Sequence, residues 1–294
     1  MSGFDADWLR LREPLDAAAR DEALAARFAG VLHARRARSS DGLRVVDLAA
    51  GTGANLRALA PRLGGDQHWT LVDLDPALLA AQPVELERWA GGRRWACERA
   101  DDGMTVRSGT ASWQARGRAL DLAASLEALD GGAFDAVVTT AFLDLVSAHW
   151  LERFAAWLAA ARLPLLATLS VDGRRDWCPP LPGDAAIDRA FRLHQGGDKG
   201  FGASLGIGAV AHLTACLSAL GFEVATARSN WRIDASRRPL LERLAAEAAQ
   251  AACEAEPGQR AVFEAWAAAR SAQARDARLA LEVGHLDLLA LPPA

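Results

Sequence analysis

Tyrosine is absent from this chain of 294 residues, lysine occurs once against 32 arginines, and no apolar run is long enough to cross a bilayer. Uncharged apolar stretches such as Leu163 to Val171 fall far short of the ~20 residues of a spanning helix, so no membrane association is expected. A basic block is also missing: 33 Lys and Arg against 37 Asp and Glu leave a net charge of −4. Affinity built on neutralising many phosphates is therefore disfavoured, and no nucleic-acid partner is expected. The four cysteines, Cys97, Cys178, Cys216 and Cys253, are scattered, with no CxxC pair and no clustered histidines. No metal site is expected, and reduced thiols in the cytoplasm are the default. Asp5, Asp7 and Arg10 stand where a secretion signal needs its apolar core.

The chain contains 51% hydrophobic and 24% charged residues, the proportions of a soluble globular protein. Residues 7 to 37 place Trp8, Leu11, Leu15, Phe28 and Leu32 at helical spacing, with an interruption expected at Pro14. Leu43 to Leu48 reads as a strand, Ala49 to Gly53 as a tight small-residue turn, and Leu56, Leu59 and Leu63 as a helix face. A second strand, Trp69 to Val72, ends at Asp73, and Asp75-Pro76 opens another helix with an N-cap carboxylate and a first-turn proline. From 91 to 122 an inserted hairpin or meander is expected, followed by strand 134–139, helix 150–163 and strand 165–171. Residues 172–206 read as loop-rich with a short helix near 184–193. Helix 207–220, strand 222–227, helical sequence from about 239 to 281 broken at Pro257-Gly258, and strand 285–291 complete the chain. This alternation implies an α/β fold with a mainly parallel sheet covered on both faces. It divides into an N-terminal helical cap over 1–40 and a domain over 41–294 whose insertions near 172–206 and 237–281 form lids.

In an open parallel sheet, ligands bind beyond the carboxyl ends of the strands. The first loop there is Asp47-Leu48-Ala49-Ala50-Gly51-Thr52-Gly53-Ala54-Asn55. Its small residues let a ligand approach the backbone closely. A dinucleotide site prefers G-x-G-x-x-G, but Leu56 stands at the third glycine position. Asp47 can receive an ammonium group, which a pyrophosphate cofactor does not offer. Asp73 ends the second strand, where a carboxylate accepts ribose hydroxyls. One acid for an amino-acid moiety and one for a ribose describe S-adenosylmethionine. An NAD(P)-dependent oxidoreductase and a noncatalytic adenosyl-ligand or partner-binding protein remain the alternatives.

VVDLAAGTGANL (Val45 to Leu56) and LVDLDPALL (Leu71 to Leu79) resemble the class I S-adenosylmethionine-dependent methyltransferases, with Ala49 at the position of that family's first loop glycine. The resemblance implies a Rossmann-like seven-stranded sheet, its last strand antiparallel, with the cofactor across the ends of strands one, two and four. It further implies that Asp47, Ala49, Gly51, Thr52, Gly53 and Asn55 hold the methionine end, Asp73 the ribose, and Leu74 the adenine. A carboxylate after strand three commonly reaches the adenine amino group in the family; Asp121, with Leu122, fits better than Asp101 or Asp102.

Methyl transfer from a sulfonium is an in-line displacement in which the protein aligns the reactants and excludes water. The resemblance places the transferred methyl beside the end of strand four, Thr139 to Asp144, which lacks the Asn/Asp-Pro-Pro-aromatic signature of many nitrogen methyltransferases. Asp144 is the candidate base there. A second candidate set is His194, Asp198 and Lys199, in a glycine-rich loop able to close over an acceptor. Trp8, Trp177 and Trp231 are candidates to stack on a planar acceptor, and Arg12 and Arg20 to meet an anionic group. A small-molecule acceptor is expected, because the extra residues are invested in capping elements.

Overall fold

The computed structural model describes residues 5–36, 41–100 and 103–293. Helices α1 (Ala6–Ala19) and α2 (Glu22–Arg36) precede β1 (Leu43–Leu48), α3 (Ala54–Leu63), β2 (Gln67–Asp73) and α4 (Pro76–Gly92). There follow β3 (Ala96–Ala100), β4 (Gly103–Ser108), β5 (Ala111–Ala119), α5 (Leu122–Ser125), β6 (Ala136–Thr140), α6 (Ala148–Ala161) and β7 (Leu165–Cys178). The chain ends with α7 (Asp184–Gln195), α8 (Ala209–Ala219), β8 (Glu223–Arg228), β9 (Trp231–Ile233), α9 (Arg238–Ala255), α10 (Arg260–Arg275) and β10 (Ala280–Leu291).

The strands form one sheet in the order β3-β4-β5-β2-β1-β6-β7-β10-β8, with β9 on β10. Strands β5, β2, β1, β6 and β7 are mutually parallel, and β10 enters antiparallel between β7 and β8. That is the expected Rossmann-like sheet of seven strands, enlarged to ten by the edge hairpin β3–β4 and by β9.

Alternation along β1 sends Leu43 and Val45 to one face, under α2, α3 and α4, and Val46 and Leu48 to the other, under α5, α6 and α8. A third apolar cluster lies beyond the sheet. There, the outer half of β7 pairs with the start of β10, from Cys178 opposite Ala280 to Arg175 opposite Val283. Helices α1, α7, α9 and α10 pack on this ribbon around Trp177, Ile187, Leu241 and Phe263. The two N-terminal helices thus serve different layers, α2 the sheet and α1 the ribbon.

Three expectations are corrected. Pro14 lies inside α1, and the break between helices falls at Arg20, where the Asp287 carboxylate accepts from the Asp21 amide at 2.8 Å. The first residues of the expected loop after 171 are strand, because β10 pairs with them. The last strand begins at Ala280 rather than His285 for the same reason. Among the described residues no helix is long and apolar enough to cross a membrane.

Candidate functional site

The turn after β1 is bent by three positive φ angles, at Ala49 (+52°), Gly51 (+53°) and Gly53 (+85°). Only glycine takes such angles without strain, so Ala49 is held there at a cost. A Cβ at Gly51 would also stand 2.9 Å from Leu9 Cδ1 of α1, which crosses the turn, so the Leu9 side chain would have to shift. The Gly51 amide donates to Asp73 Oδ2 at 2.7 Å, and Gln82 donates to the Gly51 carbonyl at 2.9 Å. Arg57 donates to the Thr52 carbonyl and hydroxyl and pairs with Glu13 of α1 at 2.7 Å, tying helix and turn together.

Beneath the turn Asp47 is fully buried. Asn55 donates to its Oδ1 at 2.8 Å, while Oδ2 has no hydrogen-bond partner among the described residues. Burial pushes the carboxyl up to about 7, against the opposing pull of the Asn55 bond and the Arg20 guanidinium. Arg20 donates to the Thr168 hydroxyl at 2.9 Å and leaves its Nε buried without a partner. Asp47 and Arg20 thus lie within electrostatic reach of each other, each with a buried polar atom left unbonded.

Asp73 accepts from the Asp75 amide at 3.0 Å as well as from Gly51, and Leu74 beside it is 64% exposed. Asp121 caps α5, accepting from the Ala123 and Ala124 amides at 2.9 and 3.3 Å, while Leu122 is buried in the core beneath α6. Leu122 therefore presents no side chain to a ligand. Asp101 and Asp102 lie outside the described residues.

A cavity of about 180 Å³ opens between the end of β6, the β7–β10 ribbon, and helices α1, α7 and α9. Asp144 lines it, buried, with Oδ1 unpartnered; burial pushes its carboxyl up to about 6. His285 enters from β10 with Nδ1 unpartnered, its ring centroid 5.0 Å from that of Trp231. Burial, aided by the nearby Arg12 charge, pushes this imidazole down to about 4. From α7, Asp188 presents a buried, unpartnered Oδ1, and burial raises its carboxyl as well. Arg175, on the ribbon, keeps a buried Nε without a partner, and burial lowers its guanidinium to about 10. Buried polar atoms are nearly always bonded. Four unbonded ones face this single cavity.

Of the residues expected here, Asp144, Trp8, Trp231 and Arg12 line this cavity. Trp177 does not; it is buried behind it against Trp266. His194, Asp198 and Lys199 are not brought to it. His194 pairs with Glu254 at 3.0 Å, Asp198 accepts from the Gly200 and Gly202 amides at 2.7 and 3.0 Å, and Lys199 reaches the His194 carbonyl at 3.4 Å. Phe201 anchors that loop against Phe142 and Trp150, outside the cavity. Sequence reasoning missed Arg175, Asp188 and His285. The available signal was Arg174-Arg175, a paired cation just beyond the apolar run that ends at Val171. Among the described residues no group of three or more His, Cys, Asp or Glu side chains is placed to hold a metal ion.

No family model and no curated protein matches this chain. Solved structures similar to it include a SAM-dependent methyltransferase from Thiobacillus denitrificans in complex with S-adenosyl-L-homocysteine, 15% identical, covering 98% of this chain and 99% of that one, with a TM-score of 0.43. Another SAM-dependent methyltransferase, from Geobacter sulfurreducens and also in complex with S-adenosyl-L-homocysteine, is 15% identical over 97% of this chain and 98% of its own, with a TM-score of 0.42. A cyclopropane synthase from Mycobacterium tuberculosis is 12% identical over 85% and 78% respectively, with a TM-score of 0.42.

Proposed function

We propose that the protein is an S-adenosylmethionine-dependent methyltransferase acting on a small molecule held in the cavity beside Asp144. The observation that carries the cofactor assignment is the unbonded Oδ2 of Asp47 beneath the glycine turn. A buried carboxylate is a receptor for an ammonium group and repels a pyrophosphate. Arg20, with its own unbonded Nε, completes a site for a zwitterionic amino-acid end, the ammonium on Asp47 and the carboxylate on Arg20. Asp73 retains lone pairs for the ribose hydroxyls after its two backbone bonds, and exposed Leu74 offers an apolar wall to a purine.

When bound, this cofactor would supply an electrophilic methyl on a sulfonium. The chain's own residues align, exclude and deprotonate. The roof of α1 and the ribbon keep water away. Asp144, ionised above about pH 6, takes the proton displaced from a hydroxyl or ammonium acceptor. Titration of the purified protein with S-adenosylmethionine and with NADH by calorimetry tests the cofactor. Binding of the first, weakened in Asp47→Ala and Asp73→Ala, is expected; NADH binding alone would overturn the proposal in favour of an oxidoreductase. Absence of S-adenosylhomocysteine production across a broad acceptor panel would favour a noncatalytic binding protein.

A further inference from the structure

Four guanidinium groups line the cavity, and three are occupied. Arg12 pairs with Asp16 at 2.9 Å, Arg174 with Asp172 at 2.5 Å and with Asn230 at 2.9 Å, and Arg192 donates to the Gly173 carbonyl at 3.4 Å. Gly284 makes room for the Arg174 arrangement, since a Cβ there would meet Asp172 Oδ1 at 2.0 Å. Arg175 has no hydrogen-bond or ion-pair partner among the described residues, and its Nε is buried. Its guanidinium carbon lies 4.1 Å over the Phe191 ring centroid, a cation–π contact that helps hold the side chain in place. The backbone beneath it is held in the ribbon opposite Val283.

The nearest acids, Asp188 and Glu247, make neither a hydrogen bond nor a close ion pair with Arg175, so its donors stay open on a cavity wall, where a ligand can bond them. The fork offers two parallel N–H groups, the match of a planar carboxylate. Asp188 and Glu247 are the acids within electrostatic reach of Arg175, whereas Asp144 lies within reach of Arg12. Asp144 lies beside the backbone of Val171, four residues before Arg175 along β7, so the two meet the cavity at different points along that strand. Between them the walls are apolar and aromatic, with Leu145, Leu169, Val171 and Trp231 among them. The volume of about 180 Å³ limits the occupant to a small molecule.

We infer that Arg175 anchors a carboxylate of the methyl acceptor, so that the substrate is a small apolar or aromatic carboxylic acid held with its carboxylate at Arg175 and its nucleophilic atom toward Asp144. That orientation rests on the methyl-transfer reading above; the contact between Arg175 and a carboxylate does not.

The test is calorimetry on the full-length protein, with and without S-adenosylhomocysteine. The probes are benzoate, hexanoate and indole-3-acetate, the corresponding amides, and inorganic phosphate. At least one acid is expected to bind, about tenfold or more tighter than its amide and tighter than phosphate. Arg175→Met is expected to erase the preference for acid over amide while leaving S-adenosylhomocysteine affinity in place. Arg175→Lys is expected to retain a weakened preference. Binding by none of the acids, equal binding of acids and amides, tighter binding of phosphate, or an unchanged preference in Arg175→Met would each overturn the assignment. If Arg175→Met does not fold, the contrast between acid and amide in the unaltered protein decides. Failure of S-adenosylhomocysteine to bind counts against the methyl-transfer reading alone, because the acid–amide contrast is also measured without it.

Discussion

The Asn55 amide donates to Oδ1 of Asp47 at 2.8 Å and leaves the companion oxygen buried and unbonded. Burial holds this carboxyl at about 7, against an ordinary value of 3.8. The folded state therefore binds the proton more tightly than the unfolded chain. The resulting stability is fully present below about pH 4 and is lost as pH rises to 7. Asp47→Asn, which removes the buried charge, is expected to melt at a higher temperature than the unaltered protein at pH 8. The difference should close as pH falls toward 4 in thermal scans. The same variant is expected to lose ~2 to 3 kcal/mol of S-adenosylhomocysteine affinity at pH 8, the contribution of a charge-assisted bond to the ammonium. An unaltered melting profile with unaltered affinity would remove the assignment.

Arg57, 4% exposed, joins the glycine turn to α1 through Thr52 and Glu13. Arg57→Met leaves Glu13 and the Thr52 carbonyl unpaired and is expected to cost about 3 kcal/mol in urea unfolding. Hydrogen exchange should quicken in α1 before it does in β1. Uniform protection across both elements would show that the ion pair does not hold the helix in place.

In the proposed reaction Asp144 would serve as the base only when ionised, and burial pushes its carboxyl up to about 6. With a carboxylic-acid acceptor, turnover is expected to climb toward pH 6 and level off above it. Asp144→Asn should lower kcat by ~10² to 10⁴ and abolish the limb. His194→Ala and Lys199→Ala should leave both rate and profile alone, because their side chains are engaged outside the cavity. Loss of turnover in either would return the glycine-rich loop to the active site.

Ala49 sits at φ +52°, a left-handed conformation that costs an L-residue ~1 kcal/mol or more. Ala49→Gly is expected to raise stability by less than about 1 kcal/mol in chemical denaturation, because the freer unfolded chain offsets part of the relieved strain, with cofactor affinity unchanged. A destabilised variant would mean that the methyl group contributes more by packing than the backbone loses by strain.

The stretch from Val45 to Leu79 was legible because its determinants are local. A β-branched run, a small-residue turn and the Asp75-Pro76 helix start each specify their structure within a few residues, and the observed β1, α3, β2 and α4 follow from them. Asp47 could be located for the same reason, since a strand's last carboxylate is positioned by the turn behind it. His194, Asp198 and Lys199 show the limit of such reasoning. Suitable residue types gathered in one loop were already satisfied by one another's backbone and by Glu254.

The amino-acid order alone determined the alternating α/β pattern, the turn that bends over Asp47, and the acid that closes β2. Only the tertiary structure decided that Arg175 faces a cavity, because its strand exists through pairing with Val283, more than a hundred residues away. The same holds for the break at Arg20, which Asp287 imposes from the far end of the chain. Local propensity sets what a segment becomes when its own neighbours suffice. Which buried charge is left without a partner depends on what distant segments bring beside it.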